Sequence, residues 1–298
     1  MTVSLDAAAA FLAGHGRVLD RRRFDLLTGV GGADAVVAAV DGYRNADGGY
    51  GWGLEPDLRS GTSQPGGALH ALEAFADLAP ATTPRAAQVC DWLASVTLPD
   101  GGLPFARPVP DPAACAPFWV QADPSVSSLQ ITAVVAATAY RVAALDPAVA
   151  EHPWLARATA YCLGAVGVLD ADAHAMELAF AVQFLDAAGR AGGASEEARS
   201  LLDRLAPLVP ADGLLHVAGG AEDEFMRPLD FAPMPGGPAR ELFAPAVVEA
   251  ELDRLAAEQQ DDGGWTVDFD SYSSAATLEW RGHRTVDALV LLRANGRL

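Results

Sequence analysis

The chain has 298 residues, 51% of them hydrophobic and only 7% aromatic, which is enough to bury a large core built chiefly from Ala and Leu. Its 39 acidic residues against 20 basic ones give a formal charge of −19. That field repels nucleic acid and anionic membrane surfaces, and no basic stripe with interleaved aromatics offsets it.

Long Ala- and Leu-rich stretches with few alternating β-branched residues predict an all-α protein. The first helix is expected over Leu5 to Ala13, followed by a basic turn and a second helix from Asp34 to Val40. Within the turn, Arg21-Arg22-Arg23 reads as a solvated helix end. A loop from Gly42 to Gly66 carries Tyr43, Tyr50, Trp52, Glu55 and Asp57, and an apolar helix follows from Ala68 to Leu78. Pro84 opens the next helix, to Val96, at a position that suits proline. A Pro-rich loop, Leu98 to Asp123, holds Phe105, Phe118 and Trp119. Beyond it, Ser125 to Ala144 is almost uncharged and must be buried on all sides. Helices are then expected over Pro153 to Val166, Ala173 to Ala188 and Glu196 to Leu208. A third long loop, Asp212 to Pro238, precedes Arg240 to Gln260 and a last helix from about His283 to Ala294.

Four turns punctuate these helices: Asp47-Gly48-Gly49, Asp100-Gly101-Gly102, Asp212-Gly213-Leu214 and Asp262-Gly263-Gly264. They are 53, 112 and 50 residues apart, so the middle interval spans about two periods, with a degenerate turn expected around Gly164, Gly167 and Leu169-Asp170. Helices after the turns are more apolar than those before them, the pattern of an inner and an outer ring. The expected fold is a single domain over residues 1–298: an α/α toroid of about five to six helical hairpins around an apolar cavity. An open solenoid of helix pairs is the competing arrangement, although its repeats are normally shorter.

Cys90, Cys115 and Cys162 have no CxxC spacing and read as buried thiols in a reducing compartment. No basic n-region precedes the apolar residues 7 to 13, and the uncharged stretch from Pro124 to Tyr140 is short for a membrane span. The expectation is a cytoplasmic protein without a membrane span.

The segment Gln259-Gln260-Asp261-Asp262-Gly263-Gly264-Trp265 resembles the Gln/Trp repeat of squalene–hopene cyclases. Asp47-Gly48-Gly49-Tyr50-Gly51-Trp52-Gly53 is similar to the glycine-rich repeat of protein prenyltransferase β subunits. Both families share the α/α toroid, which is what the resemblance implies for fold. It also implies that the Gln side chain caps a neighbouring helix end and that the Trp265 indole staples adjacent repeats.

The chemistries of these families make separate demands. A prenyltransferase zinc site needs an Asp two residues before a Cys, but Gln88, Ala113 and Ala160 stand there. The six histidines show no ligand spacing. Asp261-Asp262 is not extended into a magnesium-binding DDxxD cluster. Neither a metal nor a cofactor is expected. Protonation-initiated cyclases use a DxDD motif, and Asp170-Ala171-Asp172-Ala173 keeps two of its acids. Asp172 is then the acid, tuned by Asp170 and His174, while Asp268 and Asp270 form a second DxD. Each of these acids also reads as a helix-start cap, and His174 as a core histidine.

Tyr50, Trp52, Phe118, Trp119, Phe269, Tyr272 and Trp280 are expected to line the cavity, with Glu55 and Asp57 at its mouth. Three readings follow. The first is an isoprenoid or similarly apolar ligand undergoing acid-initiated cyclisation or isomerisation. The second is a toroid that binds a lipid or a protein partner without catalysis. The third is a carbohydrate-active toroid using Glu55, Asp57 and Asp268.

Overall fold

The computed structural model describes residues 3–191 and 195–298. Among these residues the chain is mostly helical, as expected, with one two-stranded hairpin of β1 (Leu215–His216) and β2 (Phe225–Met226). The helices are α1 (Leu5–His15), α2 (Val18–Leu27), α3 (Ala33–Asp41), α4 (Pro65–Ala76), α5 (Pro84–Val96), α6 (Pro117–Val120) and α7 (Leu129–Ala143). They continue with α8 (Pro147–Ala150), α9 (Pro153–Val166), α10 (Ala175–Arg190), α11 (Ser195–Leu205), α12 (Pro228–Phe231), α13 (Pro245–Ala257) and α14 (Ser274–Ala294). No helix among the described residues is long and apolar enough to cross a membrane.

Local chemistry sets the helix starts. Pro occupies the first turn of α4, α5, α9 and α13, where its missing N–H has no helical partner to lose. Ser4, Ser128 and Ser273 cap α1, α7 and α14 by accepting backbone N–H groups three residues on.

The four glycine turns share one construction. Asp47, Asp100, Asp212 and Asp262 each accept, through Oδ1, the N–H of the residue two positions on, at 3.0–3.1 Å. The glycine between has φ of +91°, +102°, +73° and +92° respectively, a region that side chains rarely enter. Each of the first three turns then leans on a later structural element. Gly48 meets Gln88 and Trp92 of α5, Gly101 meets Arg157 and Tyr161 of α9, and Gly213 meets Pro228 and Phe243. The fourth turn leans on the first helix: Gly263 meets Ala7, and Gly264 meets Phe11.

The Gln/Trp segment ties the same two ends together. Gln259 accepts the Ser4 N–H at 2.8 Å and donates to the Ser4 carbonyl at 2.9 Å. Trp265 is fully buried and donates its indole N–H to the Leu255 carbonyl at 2.8 Å. Elsewhere α7 packs on both α4 and α10 through Ala-rich faces, and α14 packs on α1, α2 and α13. All three cysteines are buried, and burial pushes the Cys90 thiol up to about 12, so it stays protonated.

Three expectations need correcting. The basic turn is helix α2, opened by Asp20, which accepts the Arg17 N–H at 3.1 Å. Arg23 is not a solvated helix end: it is 4% exposed because Asp77 and Asp287 accept its N–H groups inside the protein. The last helix also begins earlier than expected, at Ser274, since its polar first turns mask the apolar period that marks the remainder.

A Cβ at position 263 would overlap the Ala7 carbonyl oxygen, whereas at Gly164, inside α9, it would meet nothing within 4 Å. Gly263→Ala should therefore lower the unfolding free energy by about 2 kcal/mol or more. Gly164→Ala should leave it unchanged or raise it by up to about 1 kcal/mol. Urea titrations of the two variants check the pair, and an unshifted midpoint for Gly263→Ala would show that α1 does not rest on the fourth turn.

Candidate functional site

Two helices from opposite ends of the chain carry polar side chains with the same spacing. On α4 these are His70 and Glu73, with Asp77 at its C-cap; on α14 they are Trp280, His283 and Asp287. A spacing of three then four residues puts each set on one helix face. The two faces meet.

His70 lies between two carboxylates, with Nε2 2.8 Å from Glu55 Oε2 and Nδ1 2.7 Å from Glu73 Oε2. Ionised carboxylates only accept, so both ring nitrogens carry protons and His70 is an imidazolium. Burial alone would lower its pKa, but Glu73 and Glu55 outweigh that and raise it to about 10. His283 packs edge-on against His70 at 4.9 Å, with Nε2 2.8 Å from Asp287 and 3.7 Å from Glu73. Arg23 completes the seam, reaching Asp77 at 2.7 Å, Asp287 at 2.9 Å and His283 Nδ1 at 3.3 Å. Burial would raise the Glu73 and Asp287 carboxyls. The cations around them prevail and hold both below the usual carboxylate range.

Above this seam lies Asp57. It is 4% exposed; Oδ1 accepts the Tyr272 N–H at 2.9 Å and Oδ2 the Trp280 indole N–H at 2.7 Å. Its own N–H donates to Glu55 Oε1 at 3.1 Å. Burial pushes the Asp57 carboxyl up, the two N–H donors oppose it, and neighbouring Glu55 and Glu279 add to the rise. Trp280 stands edge-on to His70 at 5.7 Å and to Phe269 at 5.2 Å. Tyr272 continues the aromatic surface to Phe118 at 6.1 Å and, through it, to Trp119, which stacks on Phe105 at 4.5 Å. Phe105, Phe118, Ala122 and Val126 line a solvent-open recess of about 360 Å³ beside them.

Of the residues expected from sequence, Glu55, Asp57, Phe269, Tyr272 and Trp280 thus converge, with Phe118 and Trp119 adjoining. The others do not. Tyr50 is wholly buried against Phe75 as core. Trp52 is 60% exposed and donates its indole N–H to Asn45. Asp170 and Asp172 are exposed, so Asp172 lacks the dry surroundings expected of an acid. Their turn precedes α10, whose cap is His174: its Nδ1 accepts the Met176 N–H at 3.3 Å, and its Nε2 lies 3.1 Å from the Ala218 carbonyl. Asp170 accepts the Asp172 N–H at 3.0 Å, a fainter copy of the glycine turns. Asp270 is exposed, and Asp268 lies 3.9 Å from Arg227, in a different charge group from Glu55 and Asp57.

Sequence reasoning missed His70, Glu73, His283, Asp287 and Arg23. The available signal was a His and a Glu three apart in the otherwise apolar run Pro65–Ala76, matched by a His and an Asp four apart on the last helix. No family model matches the chain, and no curated protein matches it.

The folded pKa of His70 is raised, from 6.5 to about 10, so its stabilisation is complete below pH 6.5 and is lost as pH rises through 10. Unfolding free energies across this window should decline more steeply for the parent than for His70→Gln. Parallel slopes would contradict the imidazolium.

Proposed function

We propose that the hairpins close into an α/α toroid and that the chain acts on an isoprenoid or similarly apolar small molecule by acid-initiated cyclisation or isomerisation, with Asp57 as the acid. Contacts between the last glycine turn and α1 support the closed ring, since an open solenoid would leave those ends apart. One observation carries the choice of acid. At Asp57 a buried carboxyl raised by burial meets the aromatic surface of Trp280 and Tyr272.

Protonating an alkene needs a carboxyl that remains protonated and a surface that tolerates the resulting carbocation. Burial serves the first need. When Asp57 transfers its proton to the double bond, the new carboxylate stays held by the Tyr272 and Trp280 N–H groups. The faces of Trp280, Phe269, Tyr272 and Phe118 offer stabilisation of roughly 2 kcal/mol or more for a desolvated cation. Loss of a proton, or capture by water, ends the reaction, and the carboxylate takes a proton back from solvent.

A second reading is a toroid that binds an apolar ligand or a protein partner without turnover. The solvent-open recess beside Phe118 favours it, because an apolar ligand or a partner's side chain can cover it without entering an enclosed hollow. Native mass spectrometry showing a retained lipid and no product would decide for it.

Polyprenols, polyprenyl diphosphates and squalene are the substrates to assay, with extracts analysed by mass spectrometry. Asp57→Asn should abolish product formation while Asp172→Asn retains it, and parent activity should fall as pH rises through the Asp57 pKa. Equal turnover in the Asp57→Asn variant and the parent would remove Asp57 from the chemistry.

A further inference from the structure

The seam below Asp57 has a composition that acid catalysis does not call for: two imidazoles around one carboxylate. His70, Glu73 and His283 each present one donor atom, and all three atoms lie within 4.8 Å of one another. Both histidines are buried, and Glu73 is 21% exposed, which leaves a route from solvent. We propose that His70, Glu73 and His283 form a binding site for a divalent first-row transition metal ion of the zinc type.

The spacing fits such an ion with little movement. Around zinc, with bonds of about 2.0–2.1 Å, tetrahedral donors sit roughly 3.3 Å apart. Here Glu73 Oε2 lies 2.7 Å from His70 Nδ1 and 3.7 Å from His283 Nε2, bracketing that separation. Imidazole nitrogens with carboxylate oxygens suit zinc and its neighbours better than magnesium or calcium, which take oxygen almost alone.

A second feature points the same way. Glu55 Oε2 holds the Nε2–H of His70 at 2.8 Å, so the nitrogen turned toward Glu73 and His283 is Nδ1. A carboxylate fixing the far nitrogen of a ligand histidine orients the ring and increases its basicity. The surroundings also favour a cation: Glu55 and Glu73 have His70 as their partner, while of the four carboxylates only Asp77 and Asp287 pair with guanidinium groups, Arg23 for both and Arg141 at 4.0 Å from Asp77.

Binding would rearrange two protons. The proton between His70 Nδ1 and Glu73 leaves for solvent. On His283 the proton moves from Nε2 to Nδ1, which gives up the 3.3 Å contact from Arg23, while Arg23 keeps Asp77 and Asp287.

Zinc is the first probe, by calorimetric titration of the full chain, and cobalt the second, by its visible absorption. One site per chain is expected. His70→Ala and His283→Ala should each abolish it, Glu55→Gln should weaken it about 10- to 100-fold, and His174→Ala should leave it intact. Circular dichroism identifies any variant that fails to fold. X-ray absorption at the zinc edge of the unmodified protein tests the same assignment without mutation and should report two imidazole ligands. Absence of stoichiometric binding, binding untouched in folded His70→Ala, or a spectrum without imidazole would each overturn the site.

Discussion

Helix α14 is fixed to the first third of the chain by a buried line of charge, and the candidate site hangs on that line. Arg23 on α2 and the imidazolium of His70 on α4 are balanced by Glu55, Glu73, Asp77 and Asp287. The partners come from sequence positions as much as 264 residues apart. Apolar packing is non-directional and would let two Ala-rich helices slide or rotate. Buried charges allow no such freedom, because removing one partner typically strands the other at a cost of about 3–5 kcal/mol. The seam therefore specifies how α4 and α14 face each other, and hence where Trp280 points.

Trp280 shares the seam's face of α14, one turn before His283, and its indole N–H is what holds Asp57. Additional ties set the depth of the 42–64 loop. Arg17 donates to the Leu54 carbonyl at 2.9 Å, and Arg59 pairs with Glu279, the neighbour of Trp280. The loop carrying Glu55 and Asp57 is thereby clamped from α2, α4 and α14 at once. A loop held from three sides is a better platform for chemistry than its lack of regular structure suggests.

What the sequence revealed and what it concealed divide along a physical boundary. Helix content, proline starts and the repeated Asp-Gly turns were legible because each depends on residues within a few positions of one another. Glu55, Asp57 and Trp280 were legible in part, since acids beside an aromatic loop are unusual. Nothing in their spacing showed that Trp280, rather than Arg59, would take Asp57. Arg23 was misread because a basic run looks the same whether its charges reach water or a distant Asp77. Asp172 attracted an acid's role by local spacing alone, and spacing carries no information about burial. His70 and Glu73 sat inside an apolar run where they weakened the periodic signal without standing out from it.

Within one continuous polar cluster the carboxyls fall into two populations. Asp57 is bound only by neutral N–H donors and has acids for neighbours, so burial dominates and pushes its carboxyl up. Glu73 and Asp287, one layer below, face imidazoles and, for Asp287, a guanidinium, so they remain ionised. Groups whose surroundings drive their pKa values in opposite directions can serve as acid and as anion in one site at the same pH. Here the division follows from the order of side chains on α14. Trp280, a neutral donor, comes first and meets Asp57; His283 follows one turn later and meets the carboxylates of the seam. A carboxyl raised by burial and carboxylates lowered by cations thus meet a single helix face one turn apart, with Trp280 at the first and His283 at the second.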